Sequence, residues 1–202
     1  MKTLEPDWQR QRPTQEAIRT MWSKIRFKNI PITHPRLLHF VHDLKVVYAQ
    51  GGALLYHFQV SENLTFDWFA YNNRLEEISF TQHSLGSGDL ISAAAELQID
   101  KSLLHIEAPN YFFDTFDLAG RLARHLYHGG PHSLGSFDAR DALNQAQEFV
   151  DLIIQNRYEE VSMFCFDIDW ADWFYGQYWD MTYLLYDRTH RQIWLLCLTD
   201  SQ

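Results

Sequence analysis

Carboxylates and imidazoles are the groups in this chain whose spacing could do chemistry. Residues 166 to 180 read FDIDWADWFYGQYWD, in which Asp167, Asp169, Asp172 and Asp180 are interleaved with aromatics from Trp170 to Trp179. The pair Asp167-x-Asp169 offers oxygen ligands of the kind that hold magnesium or manganese. Histidine is the second resource, with ten in the chain. His39 and His42 fall three apart on a helical stretch that also carries Asp43, so one ligand could meet both imidazoles. His125, His128 and His132 sit in HLYHGGPH beside Gly129 and Gly130, a loop that could pose a general base.

None of these constellations completes a catalytic set. The apolar run leading into Asp167 and Asp169 superficially resembles the first motif of haloacid-dehalogenase phosphatases, in which one aspartate is the nucleophile and the other a general acid. That family also needs a later hydroxyl residue, a lysine and an acidic pair, and no lysine follows Asp169. A lone Asp-x-Asp, as in nucleotide-sugar transferases, is a frequent coincidence. His34, His39, His42, Asp43 and Asp114 can be forced into the pattern of an HD-type phosphohydrolase, but their spacing does not favour it; His39 and His42 fit the solvent flank of their helix. Nothing supplies a nucleophile beside HLYHGGPH, because Ser133 and Ser136 lack the GxSxG elbow and the glycines match neither a P-loop nor GxGxxG. Ordinary helix termination accounts for Gly129 and Gly130. No catalytic residue, metal or cofactor is assigned on this basis.

Composition narrows the class further. The chain has 202 residues, 46% hydrophobic and 15% aromatic, with six Pro and nine Gly, which fits one folded domain and argues against disorder. Net charge is -9 with 17 basic residues, so the summed field repels nucleic acid and anionic lipid, and no direct contact with either is expected. No apolar run approaches the roughly 20 residues of a membrane helix, and Lys2 is not followed by a signal-peptide h-region, so a cytoplasmic protein is expected. Cys165 and Cys197 lie singly inside MFCF and WLLCL, which reads as two reduced core thiols.

The elements that must position these residues read as α+β, with helices packed on mostly antiparallel sheet. Residues 1–13 form a polar, flexible lead-in, and 14–202 a single domain. Thr14 can cap a helix whose Ile18, Met21, Trp22 and Ile25 share a face. Pro35 suits the first turn of a second helix running to about residue 50, with Leu37, Phe40, Val41, Leu44, Val47 and Tyr48 inward. Residues 53–81 read as a three-stranded meander, ALLYHFQV, LTFDWFAY and RLEEISFTQ, separated by SEN and NN. A short helix is expected over roughly 90–97 and a less defined stretch to Pro109. Asp114 can cap a helix to about Tyr127 with Phe116, Ala119, Leu122, Ala123 and Leu126 inward. Residues 139–156 are the clearest helix, with Ala139, Ala142, Leu143, Ala146, Phe149, Val150, Ile153 and Ile154 on its inner face. Three strands end the chain, VSMFCFDI, YWDMTYLLYD and QIWLLCLT; the last is apolar throughout and should be central and covered on both faces. A helix followed by three strands thus occurs at 35–81 and at 139–198, a hint of two similar halves.

Without a catalytic set, the densest feature is the aromatic-acidic segment itself. Trp and Tyr dominate interface hot spots and carboxylates complement a basic partner, so Asp167, Asp169, Trp170, Asp172, Trp173, Tyr175 and Tyr178 are the expected partner-binding residues. The competing reading is a connection whose aromatics fold back into the core. The pattern of this segment, followed by WDMTYLLYD, a basic turn and IWLLCLTD, resembles the ends of small acidic immunity proteins encoded beside bacterial polymorphic toxins. The resemblance covers about the last 40 residues. It implies a protein that neutralises a cognate toxin, basic and in one version a nuclease, by tight binding over its active site. The alternatives are a metal-assisted hydrolase built on the His and Asp clusters and a non-catalytic regulatory or scaffold module.

Overall fold

The computed structural model describes residues 11–101, 104, 112, 113, 115–133 and 137–201. Six strands form one sheet in the order β1-β2-β6-β5-β4-β3, with β1 Phe27–Asn29, β2 Gly52–Val60, β3 Phe112–Phe113, β4 Val161–Phe166, β5 Met181–Asp187 and β6 Gln192–Thr199. Every neighbouring pair is antiparallel, and the architecture is α+β. The final meander β4-β5-β6 follows the expected segments, and β6 lies inside the sheet, paired with β2 through Leu55↔Leu196 and with β5 through Leu184↔Leu195.

Helices cover both faces, which explains why the strands are apolar without alternation. On one face lie α2 (Pro35–Val47), α6 (Leu118–His128) and α7 (Ala139–Ile154). They enclose a core with Met163, Cys165, Tyr183, Leu185, Leu196 and Leu198, and Phe40 stacks on Phe149 at 4.4 Å. On the other face lie α1 (Gln15–Lys24), α3 (Leu64–Tyr71), α4 (Phe80–Leu85) and α5 (Gly88–Ala93), over Phe164, Leu184, Tyr186, Ile193 and Leu195. A strand buried on both sides gains roughly 1.5–3 kcal/mol from each large apolar side chain. Cys165 and Cys197 are free and buried, one under each helical layer, and burial pushes the Cys165 thiol up to about 12, which keeps it inert.

The meander expected over 53–81 is corrected beyond its first strand. LTFDWFAY is helix α3, and RLEEISFTQ is a 3-10 turn, Leu75–Ile78, followed by α4. The SEN tripeptide before Leu64 is a helix start rather than a strand turn: Asn63 Oδ1 accepts from the N–H groups of Thr65 and Phe66 at 3.0 and 3.2 Å. Phe66, Phe69 and Ala70 then bury one face at helical spacing. With only β2 left in that region, the two similar halves are not there; helix-plus-three-strands occurs once, from α7 onward. Three inward assignments also change. Phe116 is 65% exposed, in a 3-10 turn ahead of α6, stacked on Tyr158 at 5.0 Å. Ala139 and Leu143 lie on the outer side of α7. The Asp114 cap, Ser136, the stretch just before Pro109 and the lead-in up to residue 10 lie outside the described residues. Arg12, at the end of that lead-in, meets Glu77 at 3.0 Å.

Candidate functional site

Residues 167–180 connect β4 to β5 without helix or strand, yet they are tied down from beneath. Trp170 Nε1 donates to Thr182 Oγ1 of β5 at 2.8 Å. Trp173 N–H bonds the Leu97 carbonyl at 3.2 Å. At the far end, Thr199 Oγ1 of β6 donates to Asp180 Oδ1 and accepts from the Tyr175 N–H, while Asp180 Oδ2 accepts from the Gln177 N–H at 3.0 Å. Asp180 and Thr199 are both buried, so this small network supplies every polar group with a partner. The Tyr175 hydroxyl closes the arrangement by donating to the Gln50 carbonyl after α2, 3.2 Å away. Gly176 turns the chain at φ +68°, with Asp169 Oδ2 lying 3.2 Å from where a Cβ would stand.

The segment thereby sorts its residues into two sets. Trp170 is 6% exposed and Phe174 is buried with it in the core; Trp173 and Trp179 are half-buried, packed against opposite core faces. Facing out are Asp167, Ile168, Asp169, Asp172, Tyr175 and Tyr178, with Tyr175 at 52% and Tyr178 at 82%. Of the expected partner-binding residues, Trp170 is therefore removed from the surface and Trp173 contributes only an edge. The aspartates divide as well: Asp180 is an internal anchor. Among the described residues no Lys, Arg or His forms an ion pair with Asp167, Asp169 or Asp172.

The histidines go elsewhere. Among the described residues, no three His, Cys, Asp or Glu side chains gather in a way that could hold a metal ion. His39 is exposed and meets Asp43 at 3.5 Å, and His42 faces solvent. His128 and His132 are exposed, whereas His125 turns inward. Its Nδ1 lies 2.5 Å from the Tyr48 hydroxyl and its Nε2 2.7 Å from the Tyr183 hydroxyl, so α2, α6 and β5 are joined by one imidazole. The residue as a whole is half-buried, but both nitrogens are occupied. Burial, with Arg124 and Arg121 adding repulsion, lowers its pKa to about 4, and a neutral ring there accepts from one tyrosine and donates to the other. Gly130 follows because Asp200 needs the room: a Cβ would stand 1.9 Å from Asp200 Oδ2. Sequence reasoning missed the Tyr48–His125–Tyr183 relay and the Asp180–Thr199 anchor. Their members lie between 19 and 77 residues apart, and no local pattern marks them.

The same end of the sheet carries the exposed loop, the turn after α2 and the HGGPH loop, linked through Tyr175 to Gln50, Gln50 N–H to Asp200 Oδ1 at 2.9 Å, and Gly130 N–H to the Val47 carbonyl at 2.9 Å. No helix among the described residues is long and apolar enough to cross a membrane. Compared with protein-family models, curated proteins and solved structures, the chain matches nothing.

Proposed function

We propose that the protein is a protein-binding inhibitor, and within that class an immunity protein that neutralises a cognate bacterial toxin by covering its active site. The observation that carries this reading is the 167–180 connection: an irregular segment fixed by Thr182, Thr199, Gln50 and Leu97 that turns outward two tyrosines and three carboxylates with no ion-pair partner among the described residues. A rigid segment loses little entropy on binding, and Tyr and Trp supply contact area with few rotatable bonds. Exposed carboxylates steer a basic partner and set its orientation. The net charge of -9 adds to that steering. If the toxin is a nuclease, Asp167, Asp169 and Asp172 occupy the space its substrate phosphates would take.

Protection of growth tests this reading. A partner captured with the full chain is expressed alone, with the native chain, and with an Asp169→Lys, Asp172→Lys variant. The native chain restores growth and the double variant does not, while both fold equally well. A harmless partner, or equal protection by the variant, sinks the proposal.

A further inference from the structure

The outer edge of β2 is covered for only part of its length. β1 pairs with Phe58, Gln59 and Val60, and the Ile30 N–H adds one bond to the His57 carbonyl at 2.8 Å. Past that point the chain leaves the sheet for α2. The parity of the ladder says what remains. Val60 N–H bonds the Arg191 carbonyl on the β6 side, so in antiparallel register Phe58, Tyr56 and Leu54 also bond to β6, while Ala53 and Leu55 turn their N–H and C=O groups away from it; Ala53 is fully buried, so Leu55 is the residue that presents these groups at the open edge. Among the described residues nothing pairs with them.

A groove of about 340 Å³ runs along this open stretch. Leu38 and Lys45 of α2 form one wall, Ala93 and Glu96 the other, and Leu55 and His57 lie along its floor. Leu38 is a half-exposed apolar side chain. His57 is 9% exposed, its ring stacked on Trp194 at 3.7 Å, and its Nε2 is buried without a hydrogen-bond partner. Unpaired backbone groups, an orphaned imidazole nitrogen and an apolar wall thus meet in one groove. A buried nitrogen left in the state of His57 Nε2 costs free energy that a ligand can recover.

We propose that this edge of β2 is a docking site for an extended segment of a partner protein, added antiparallel to β2 where a longer β1 would run and bonded to the outward main chain of Leu55. Strand addition of this kind takes affinity from main-chain bonds and specificity from alternate side chains. Successive side chains of a strand point to opposite faces. Neighbouring residues of the segment therefore reach opposite walls, an acidic one toward Lys45 and a basic one toward Glu96, with an apolar residue against Leu38. A second copy of the chain is the poorer occupant. Pairing two β2 edges about Leu54 sets residue 58 of one copy opposite residue 50 of the other, and β1, which stands about 4.8 Å further out, runs into the turn after α2. The site is independent of the 167–180 surface.

The test is selection of random peptides displayed on phage against the full-length chain, followed by affinity measurement on synthesised winners. Leu55→Pro removes the outward N–H while leaving every bond to β6 in place, as proline is tolerated on an edge; Leu55→Ala loses the same side chain but keeps the N–H. Selected peptides are expected to alternate acidic and basic residues and to bind Leu55→Ala nearly as well as the native chain. They should lose about tenfold or more on Leu55→Pro. Amide exchange at Leu55, fast in the free chain, should slow when peptide is added. The proposal is overturned if no peptide is enriched, or if winners bind Leu55→Pro and Leu55→Ala alike. It is equally overturned if light scattering shows a dimer that Leu55→Pro abolishes, which assigns the edge to a second copy.

Discussion

His125 sets a measurable pH dependence of stability. In the unfolded chain its imidazole titrates near 6.5, whereas in the fold burial lowers the pKa to about 4. A depressed histidine stays neutral in the native state while the unfolded chain takes up a proton. The native state is therefore undamaged above about pH 6.5 and loses stability as pH falls toward about 4, at up to about 1.4 kcal/mol per pH unit and on the order of 3 kcal/mol in all. Burial also lowers the pKa values of His57 and His83, so the comparison must be with a variant that keeps them. His125→Gln does this. At pH 7.5 it should be the less stable protein, because one tyrosine hydroxyl loses its partner, by about 1–3 kcal/mol. Between pH 7 and 5 the native protein should lose ground on it by about 2 kcal/mol, as urea midpoints at constant m would show. Parallel stability curves for the two proteins across that range would refute the burial argument.

Three further outcomes follow from the way the 167–180 segment and the loop after α6 are built. Trp170→Ala empties a core site and breaks the bond to Thr182, and should cost about 3–5 kcal/mol in chemical denaturation; Tyr178→Ala, at the most exposed aromatic among the described residues, should stay within about 0.5 kcal/mol. Asp180→Ala leaves Thr199 Oγ1 and the Gln177 N–H without their acceptor, so a loss of about 1–3 kcal/mol is expected, with faster amide exchange at Tyr175 and Gln177. Gly130→Ala drives a Cβ into the Asp200 carboxylate and should lower the melting temperature by more than Gly120→Ala, where no heavy atom lies within 4 Å of the added Cβ.

Where one residue pattern had one physical cause, the sequence was readable. QIWLLCLT is apolar because β6 is covered on both faces, and α7 shows its inner Ala142, Ala146, Phe149 and Ile153 at helical spacing, with Asp138 capping it through the N–H groups of Arg140 and Asp141. α3 was not readable as a helix because Leu64–Tyr71 is apolar nearly all round, so its period is weak and its aromatics mimic a strand; the Asn63 cap was the overlooked signal. What stabilises that region is remote: Arg191 in β6's approach grips Asp67 through Nε and Nη2 at 2.9 and 3.1 Å, across 124 residues. The candidate site shows the same division. Composition pointed to 167–180, but only the contacts of Trp170 with Thr182 and of Asp180 with Thr199 separate inward from outward residues. Asp167, Asp169, Asp172, Tyr175 and Tyr178 remain on the surface, and Trp170 does not.

The central claim is that this outward set recognises a protein. The most direct measurement is a parallel capture from the source cells at moderately high salt, using the native chain and the Asp169→Lys, Asp172→Lys, Tyr178→Ala variant as baits, with mass spectrometry of the retained proteins. A single basic protein, stoichiometric on the native bait and absent from the variant, is the predicted result. Equal retention on both baits, or a native bait that retains nothing from cells shown to express its neighbouring genes, contradicts the claim.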